Sequence, residues 1–330
     1  MSAIEAIRKR PGMYVGDVHD GSGLLQVLWE VVANAIDEHL AGHASRVRVT
    51  IESDDSFVVE DDGRGIAPDV AIRALTELHD TNTLDGHHPH VHIGLHGVGL
   101  VVVNALSESL VIESRRGGRI HRARFARGVC VEPMHDDGAS DMRGTRISFR
   151  PDPEIFSWTR VDLTRAQSRI DELGAFLERL SIELVIAERR MRPPVGIAAL
   201  LRDPRGLHAP VLHRATIGDI GVELAVVLHD RPWGSVRTFV NTMETRDGGV
   251  HLVAFWSALR MFFAEASEPE RFAHAVVHVS SADPAYGAPM RDELVDPRAR
   301  RPVVDATLEL LRSLADAHPD AVARVRELAK

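Results

Sequence analysis

A chain of 330 residues with 44% hydrophobic side chains is long enough to build two cores. Its formal charge of −9, from 39 basic and 48 acidic residues, excludes a wholesale nucleic-acid coat and leaves only local basic stripes. The single cysteine, Cys130, excludes an internal disulfide framework and fits a reducing, cytoplasmic setting; no apolar run reaches the ~18 residues of a membrane span.

In chain order, a helix is expected over residues 22–41, ending near Gly42. Strands follow at RVRVTIES, where Val47, Val49 and Ile51 alternate with polar residues, and at SFVVEDD, which DDGRGI breaks with two glycines. Residues 69–79 read as helix and 80–96 as a histidine-rich loop without a period. A glycine-rich lead then opens the helix GVGLVVVNALS. The strands SLVIESRR, RIHRARFA and GTRISFRP come next, the first two joined by the hairpin signal Gly117-Gly118. The first half thus reads as a mixed α/β unit. The proline-rich FRPDPEIFSW, residues 149–158, marks a boundary, and an amphipathic helix follows near 162–180. Beyond it the strands SIELVIAE, GVELAVVLHD, SVRTFVNT and AVVHVSS alternate with helices around 249–265 and 303–328. Pro319 is expected to kink or split the last helix. The chain has no internal repeat.

Three segments carry chemistry. Within WEVVANAIDEH, Glu30, Asn34 and Asp37 fall within roughly 60° of one another at ~100° per residue, with Leu28, Val31, Val32 and Ala35 opposite. A merely solvated stripe would mix Lys and Arg with its acids, and neither occurs between Gln26 and Arg46. Glu30 is suited to take a proton from water, and Asn34 offers an amide oxygen to a hard cation such as Mg2+. In EDDGRGI a carboxylate ends a strand and glycines follow, so Asp61 can approach a flat base edge and accept from an exocyclic amine. In IGLHGVGLVVVNAL, Gly94, Gly97 and Gly99 bare backbone N–H groups where a helix begins, which suits phosphates. Each signal alone is common; their order and spacing, closed by Gly-Thr on a late strand, are not.

The series IRKRPGMYVGD, LWEVVANAIDEHLAGH, VEDDGRGI, GLHGVGLVVVNALS and GTRISFRP resembles the ATPase domain of the DNA gyrase B and topoisomerase IV B subunits. RDGGVHLVAF and RDELV extend the likeness into that family's second domain. The resemblance implies an α+β chain: a GHKL (Bergerat) ATPase α/β sandwich over residues 1–155, then a ribosomal-protein-S5-like α/β transducer domain with a C-terminal helix over 156–330. It implies ATP and Mg2+ as cofactors, with Glu30 the general base and Asn34 the Mg2+ ligand. Asp61 would read the adenine amino group, with the Thr145 hydroxyl close by. Gly63, Arg64, Gly65 and Ile66 would wall the adenine pocket, Arg64 paired to Glu38. Gly94, Leu95, His96, Gly97, Val98 and Gly99 would wrap the phosphates. Asp37 would be structural. The implied partners are ATP, a second copy on ATP binding, DNA and a separately encoded cleavage subunit, with no membrane.

The chain also departs from the family pattern. Ala33 stands where an aspartate is usual, and Thr83 and His90 where the lid carries lysines. Pro289, Met290 and Arg291 replace a Gln-Thr-Lys triplet, so Arg291 is the candidate γ-phosphate contact. Only ten residues precede Pro11, and no Toprim acids follow. Slow or partner-dependent hydrolysis is therefore expected, with no DNA cleavage by this chain alone. The alternative is a non-catalytic or slow nucleotide-binding regulator or decoy. His88, His90 and His92 alternate as zinc ligands could, but without cysteines or acids beside them a solvent-washed loop is expected. The clusters RVRELAK and DPRARRPV read as solvated surface, as do Arg8, Lys9 and Arg10. Trp158, Trp233, Trp256 and FWSALRMFF read as core of the second domain.

Overall fold

The computed structural model describes residues 2–52, 55–78, 99–203, 205–288 and 291–330. Its contacts divide into two compact units, Met1–Pro193 and Pro194–Lys330. That division falls later than the proline-rich boundary near residue 155, and the reason is a strand pairing that local sequence does not announce.

The first unit opens with α1 (Ala3–Lys9) and α2 (Gly12–Val15), then the long α3 (Ser22–Leu40). Strands β1 (Arg46–Ile51) and β2 (Phe57–Asp61) lead to α4 (Pro68–Thr76) and α5 (Gly99–Ala105). A meander follows: β3 (Ser107–Arg116), β4 (Arg119–Ala126), β5 (Val129–Ala139) and β6 (Gly144–Pro151). Next come α6 (Leu163–Phe176), β7 (Ser181–Ile186) and β8 (Arg189–Met191). All eight strands form one sheet in the order β5-β4-β3-β6-β2-β1-β7-β8. β7 pairs in parallel with β1 over its whole length, which draws α6, β7 and β8 into this unit. Gly117 and Gly118 turn the β3–β4 hairpin at φ +61° and +77°, as their sequence expects.

Strand alternation then decides which side chains meet the helices. Val47 of β1 faces Asp61 of β2 across the ladder, and both look to the helix side. Arg48, Glu60 and Arg146 share the next register row and look the other way. On the helix side α3 lies against β1, β2 and β6, and α5 packs between α3 and α4. Leu28, Val31, Val32 and Ala35 are buried there, as their stripe requires, and Phe57 and Phe149 stack at 5.1 Å beneath. Arg8 departs from its expected surface place. It donates to Ala105 O at 2.8 Å and to the fully buried Asp152 carboxylate at 2.7 Å, where Arg127 joins at 3.0 Å. A carboxylate with no solvent needs such partners, and the pair ties α1 to the end of β6.

The second unit runs β9 (Val211–Ile217), β10 (Ile220–Leu228), β11 (Ser235–Val240), β12 (Met243–Glu244) and β13 (Gly248–Gly249). Helix α7 (Val250–Phe262) follows, then β14 (Ala273–Ser280), β15 (Glu293–Leu294), α8 (Arg300–Ala317) and α9 (Pro319–Leu328). Five strands form a sheet in the order β12-β11-β14-β10-β9, with α7 and α8 packed on it. Phe255, Leu259, Val303, Leu310 and Leu314 close that core. The last helix splits at His318, because Pro319 cannot supply the N–H that would continue α8. The tryptophans correct the sequence reading. Trp256 packs against the core, but Trp233 is 53% exposed under the Arg231 guanidinium, and Trp158, 56% exposed, belongs to the first unit, where it touches Gly21. An indole with a cation over its face, or a glycine beneath it, keeps part of its ring dry without entering a core. Two further strands lack a clear sequence signature: β5, whose register with β4 is irregular, and β9, whose burial alternates only between exposed and half-buried. Among the described residues no helix is long and apolar enough to cross a membrane.

Candidate functional site

Helix α3 sets a line of side chains at every fourth residue: Gln26, Glu30, Asn34 and Glu38. From Glu30 to Glu38 that line runs about 12 Å along the helix axis. At one end Glu30 is buried, 4% exposed, and Gln26 Nε2 donates to its Oε1 at 2.8 Å. Gly99, the first residue of α5, lies so close that an added Cβ would sit 2.5 Å from Glu30 Oε2. Asn34 is exposed, and its Nδ2 donates to Glu30 O at 2.7 Å, which leaves the amide oxygen as its acceptor.

At the other end Glu38 accepts from Arg64 through Nη2 at 2.7 Å and through the backbone N–H at 2.9 Å. The pairing anticipated from the sequence is present, and it fixes the turn after β2. Gly63 occupies that turn, where a Cβ would meet Glu38 Oε2 at 2.7 Å and Asp61 Oδ1 at 2.8 Å. The carbonyl of Gly65, a residue at φ +73°, accepts from Arg116 Nη1 at 2.9 Å, and the Ile66 carbonyl accepts from Ser114 Oγ at 2.6 Å. The loop is therefore held from α3 on one side and β3 on the other.

Asp61 lies between these supports. Its Oδ1 accepts from Gly63 N–H at 2.8 Å and Thr145 N–H at 3.3 Å, so Oδ2 is available to another donor. Gly144 permits this approach: at φ +116°, a Cβ there would fall 1.9 Å from Asp61 O. Thr145 itself is 6% exposed. Burial strips the Asp61 carboxylate of water and pushes its pKa up to about 7, against the pull of the two N–H groups; Glu38 and Asp62 add to the rise.

A raised carboxylate pKa means that the folded chain holds the proton more tightly than the unfolded one. The stabilisation is complete below the ordinary value of 3.8 and is lost as pH rises through about 7. Its size is on the order of 4 kcal/mol at one decade per 1.36 kcal/mol. Urea unfolding of Asp61→Asn at pH 5 and pH 8 is expected to lose this pH dependence, whereas the native chain is less stable at pH 8. An equal slope in both proteins would exclude Asp61 as its source.

These residues fit a purine nucleotide and a hard cation. A buried acceptor faces a glycine-lined cradle at one end, and a buried carboxylate stands beside a glycine helix start at the other. Among the described residues no cluster of three or more His, Cys, Asp or Glu could hold a metal, so a cation there would rely on the Asn34 oxygen and on ligand oxygens. Gly94, Leu95, His96, Gly97 and Val98 lie outside the described residues, as do Thr83, Pro289, Met290 and His88, His90 and His92. Arg291 belongs to the second unit. Its backbone is left-handed at φ +60°, and its guanidinium lies 5.7 Å from the Tyr286 ring centroid. Sequence reasoning passed over Gln26, although its place one turn before Glu30 was a usable signal. Ser114 and Arg116 gave none, since only the sheet brings them to the loop.

Residues 19–155 match the family described as histidine kinase-, DNA gyrase B- and HSP90-like ATPase. The DNA gyrase B protein of Caulobacter vibrioides is 33% identical over all of this chain and 47% of its own length. That of Thermotoga maritima is 32% identical over 98% of this chain and 57% of its own, so the chain spans about half the length of these relatives. Among solved structures, the 43K ATPase domain of Thermus thermophilus gyrase B, in complex with an aminocoumarin, is 30% identical with a TM-score of 0.79. That match covers 99% of this chain and 94% of that one.

Proposed function

The chain belongs to the DNA gyrase B family, and on that premise we propose that it binds ATP along α3, β2 and β6 and hydrolyses it with Glu30 as general base. The observation that best supports this is Glu30 itself: a carboxylate 4% exposed, oriented by Gln26, against the bare backbone of Gly99. A buried, positioned carboxylate can take the proton of a water as it attacks phosphorus.

In this reading Asp61 Oδ2 accepts from the adenine amino group, with Thr145 beside it. Gly63, Arg64, Gly65 and Ile66 form the wall that the Glu38–Arg64 pair holds in place. Backbone N–H groups from Gly94 to Gly99 take the phosphates. The Asn34 oxygen holds Mg2+, which when bound offsets phosphate charge. Arg291 is the proposed cation for the γ-phosphate. The N-terminal half is the ATP-binding domain and the later half the transducer. Two copies close on ATP as a clamp that acts on DNA with a separately encoded cleavage partner. A slow or non-hydrolysing regulator is the second reading, favoured by Thr83 and His90 in place of lysines and by the Pro289-Met290-Arg291 triplet, where proline removes a donor.

Steady-state phosphate release with Mg2+, with and without DNA, beside a nucleotide-binding titration, separates the two. The first reading expects Mg2+-dependent turnover that DNA stimulates. Tight binding without release selects the second, and no binding at all overturns both.

A further inference from the structure

The first unit's sheet has a second face, opposite the helices, and its charges are ordered. Along one register row Glu183, Arg48, Glu60, Arg146, Glu113 and Arg122 stand on successive strands from β7 to β4. Arg48 Nε meets Glu183 at 2.7 Å and Arg122 meets Glu113 at 2.6 Å, whereas Arg146 comes no closer than 4.0 Å to Glu60. That row is a self-paired ladder. The next row carries the surplus. Val185, Thr50, Val58, Ser148 and Val111 form a floor of small side chains, ended by Arg190 on β8 and Arg124 on β4. Between floor and ladder lies a trough of about 240 Å³, into which Arg48, Arg146 and Arg190 project with Glu52 and Glu60.

Within these two rows guanidiniums recur on every second strand, roughly 10 Å apart at ~4.8 Å per strand, while Arg115 on β3 is held by Glu113 at 3.3 Å and Glu60 at 3.6 Å. Arg124 is 58% exposed with Glu132 at 3.6 Å, and among the described residues no carboxylate stands within ion-pair distance of Arg190. Phe57, Phe125 and Phe149 all point to the helix side, so among the described residues no Phe, Tyr or Trp ring projects from these strands for a base to stack on, and the one imidazole opposite Arg122, that of His135, lies 3.5 Å from Glu132. In a chain of net charge −9, a comb of arginines over a shallow, ring-free floor suits a regular polyanion held by its phosphates.

We propose that this face of the sheet binds the phosphate backbone of duplex DNA, independently of sequence. The inference rests on DNA as the partner class of the proposed function. It adds a surface on the opposite side of the same strands that carry Asp61. Phosphates would engage Arg190 first, then Arg146 and Arg124, whose carboxylate contacts at 4.0 and 3.6 Å are looser than the 2.7 and 2.6 Å pairs that hold Arg48 and Arg122.

The test uses the full chain, a short fluorescent duplex and a salt series. Arg124→Ala, Arg146→Ala and Arg190→Ala combined should lower the slope of log affinity against log salt by about 2–3, one per arginine. Affinity at moderate salt should fall roughly tenfold or more. ATP binding should persist, showing that the chain is folded. Lysines at the same positions should restore most of the slope. Arg205→Ala with Arg301→Ala, both on exposed surface elsewhere, is the charge control. An unchanged slope in the triple variant overturns the inference and leaves the DNA reading standing, as does an equal loss in the control. Preference for polyglutamate over the duplex also overturns it. A native chain that binds no duplex removes both the inference and DNA as partner.

Discussion

Glu30→Ala is expected to reduce ATP turnover by about two to four orders of magnitude, the usual loss when a positioned general base is removed. Nucleotide affinity should stay within about threefold, because Glu30 is assigned to the water and not to the base or phosphates. The carboxylate is held on both sides: Gln26 Nε2 fixes Oε1, and Gly99 stands where any side chain would collide with Oε2. Alanine removes the proton acceptor and leaves α3 intact, since its neighbours Val27, Val31 and Ala35 keep their burial. Phosphate release and equilibrium binding should therefore separate in this one variant. Equal turnover would remove Glu30 as the base.

Asp61→Ala is expected to fail at the earlier step. Losing a hydrogen bond to a buried charged group costs about 1.5–3 kcal/mol, or roughly ten- to hundredfold in affinity for ATP. The native site adds a pH signature. Its carboxyl is pushed up to about 7 by burial, and an amino group donating to it favours the ionised form. Binding should release a proton below that pH, and affinity should rise as pH increases through it, by up to about one decade per unit. Titration calorimetry in two buffers of different ionisation enthalpy reads the proton directly. No proton release at pH 6 would mean that the ligand meets Asp61 in its neutral form, or not at all.

The parts of the site that local spacing encodes are legible in the sequence. Glu30, Asn34 and Glu38 recur at the helix repeat, and Asp61-x-Gly-x-Gly ends a strand with the freedom its turn needs. What escaped was made by long-range pairing. The membership of α6 and β7 in the first unit depends on β7 lying parallel to β1, a contact across more than a hundred residues. Ser114 and Arg116 reach the Gly65-Ile66 loop only because β3 adjoins β6. Arg8 looked like one more surface base in IRKR, and only the fold reveals the buried Asp152 it answers. The charged face of the sheet was equally hidden. Arg48, Glu60 and Arg146 are scattered in sequence and become a row only when the register is known.

A crystal structure of the chain grown with Mg2+ and a non-hydrolysable ATP analogue tests the central claim most directly. The account predicts the adenine amino group on Asp61 Oδ2, the metal at the Asn34 oxygen and a water within reach of Glu30. Nucleotide bound elsewhere, or a vacant α3–β2–β6 cradle at saturating concentration, would contradict it.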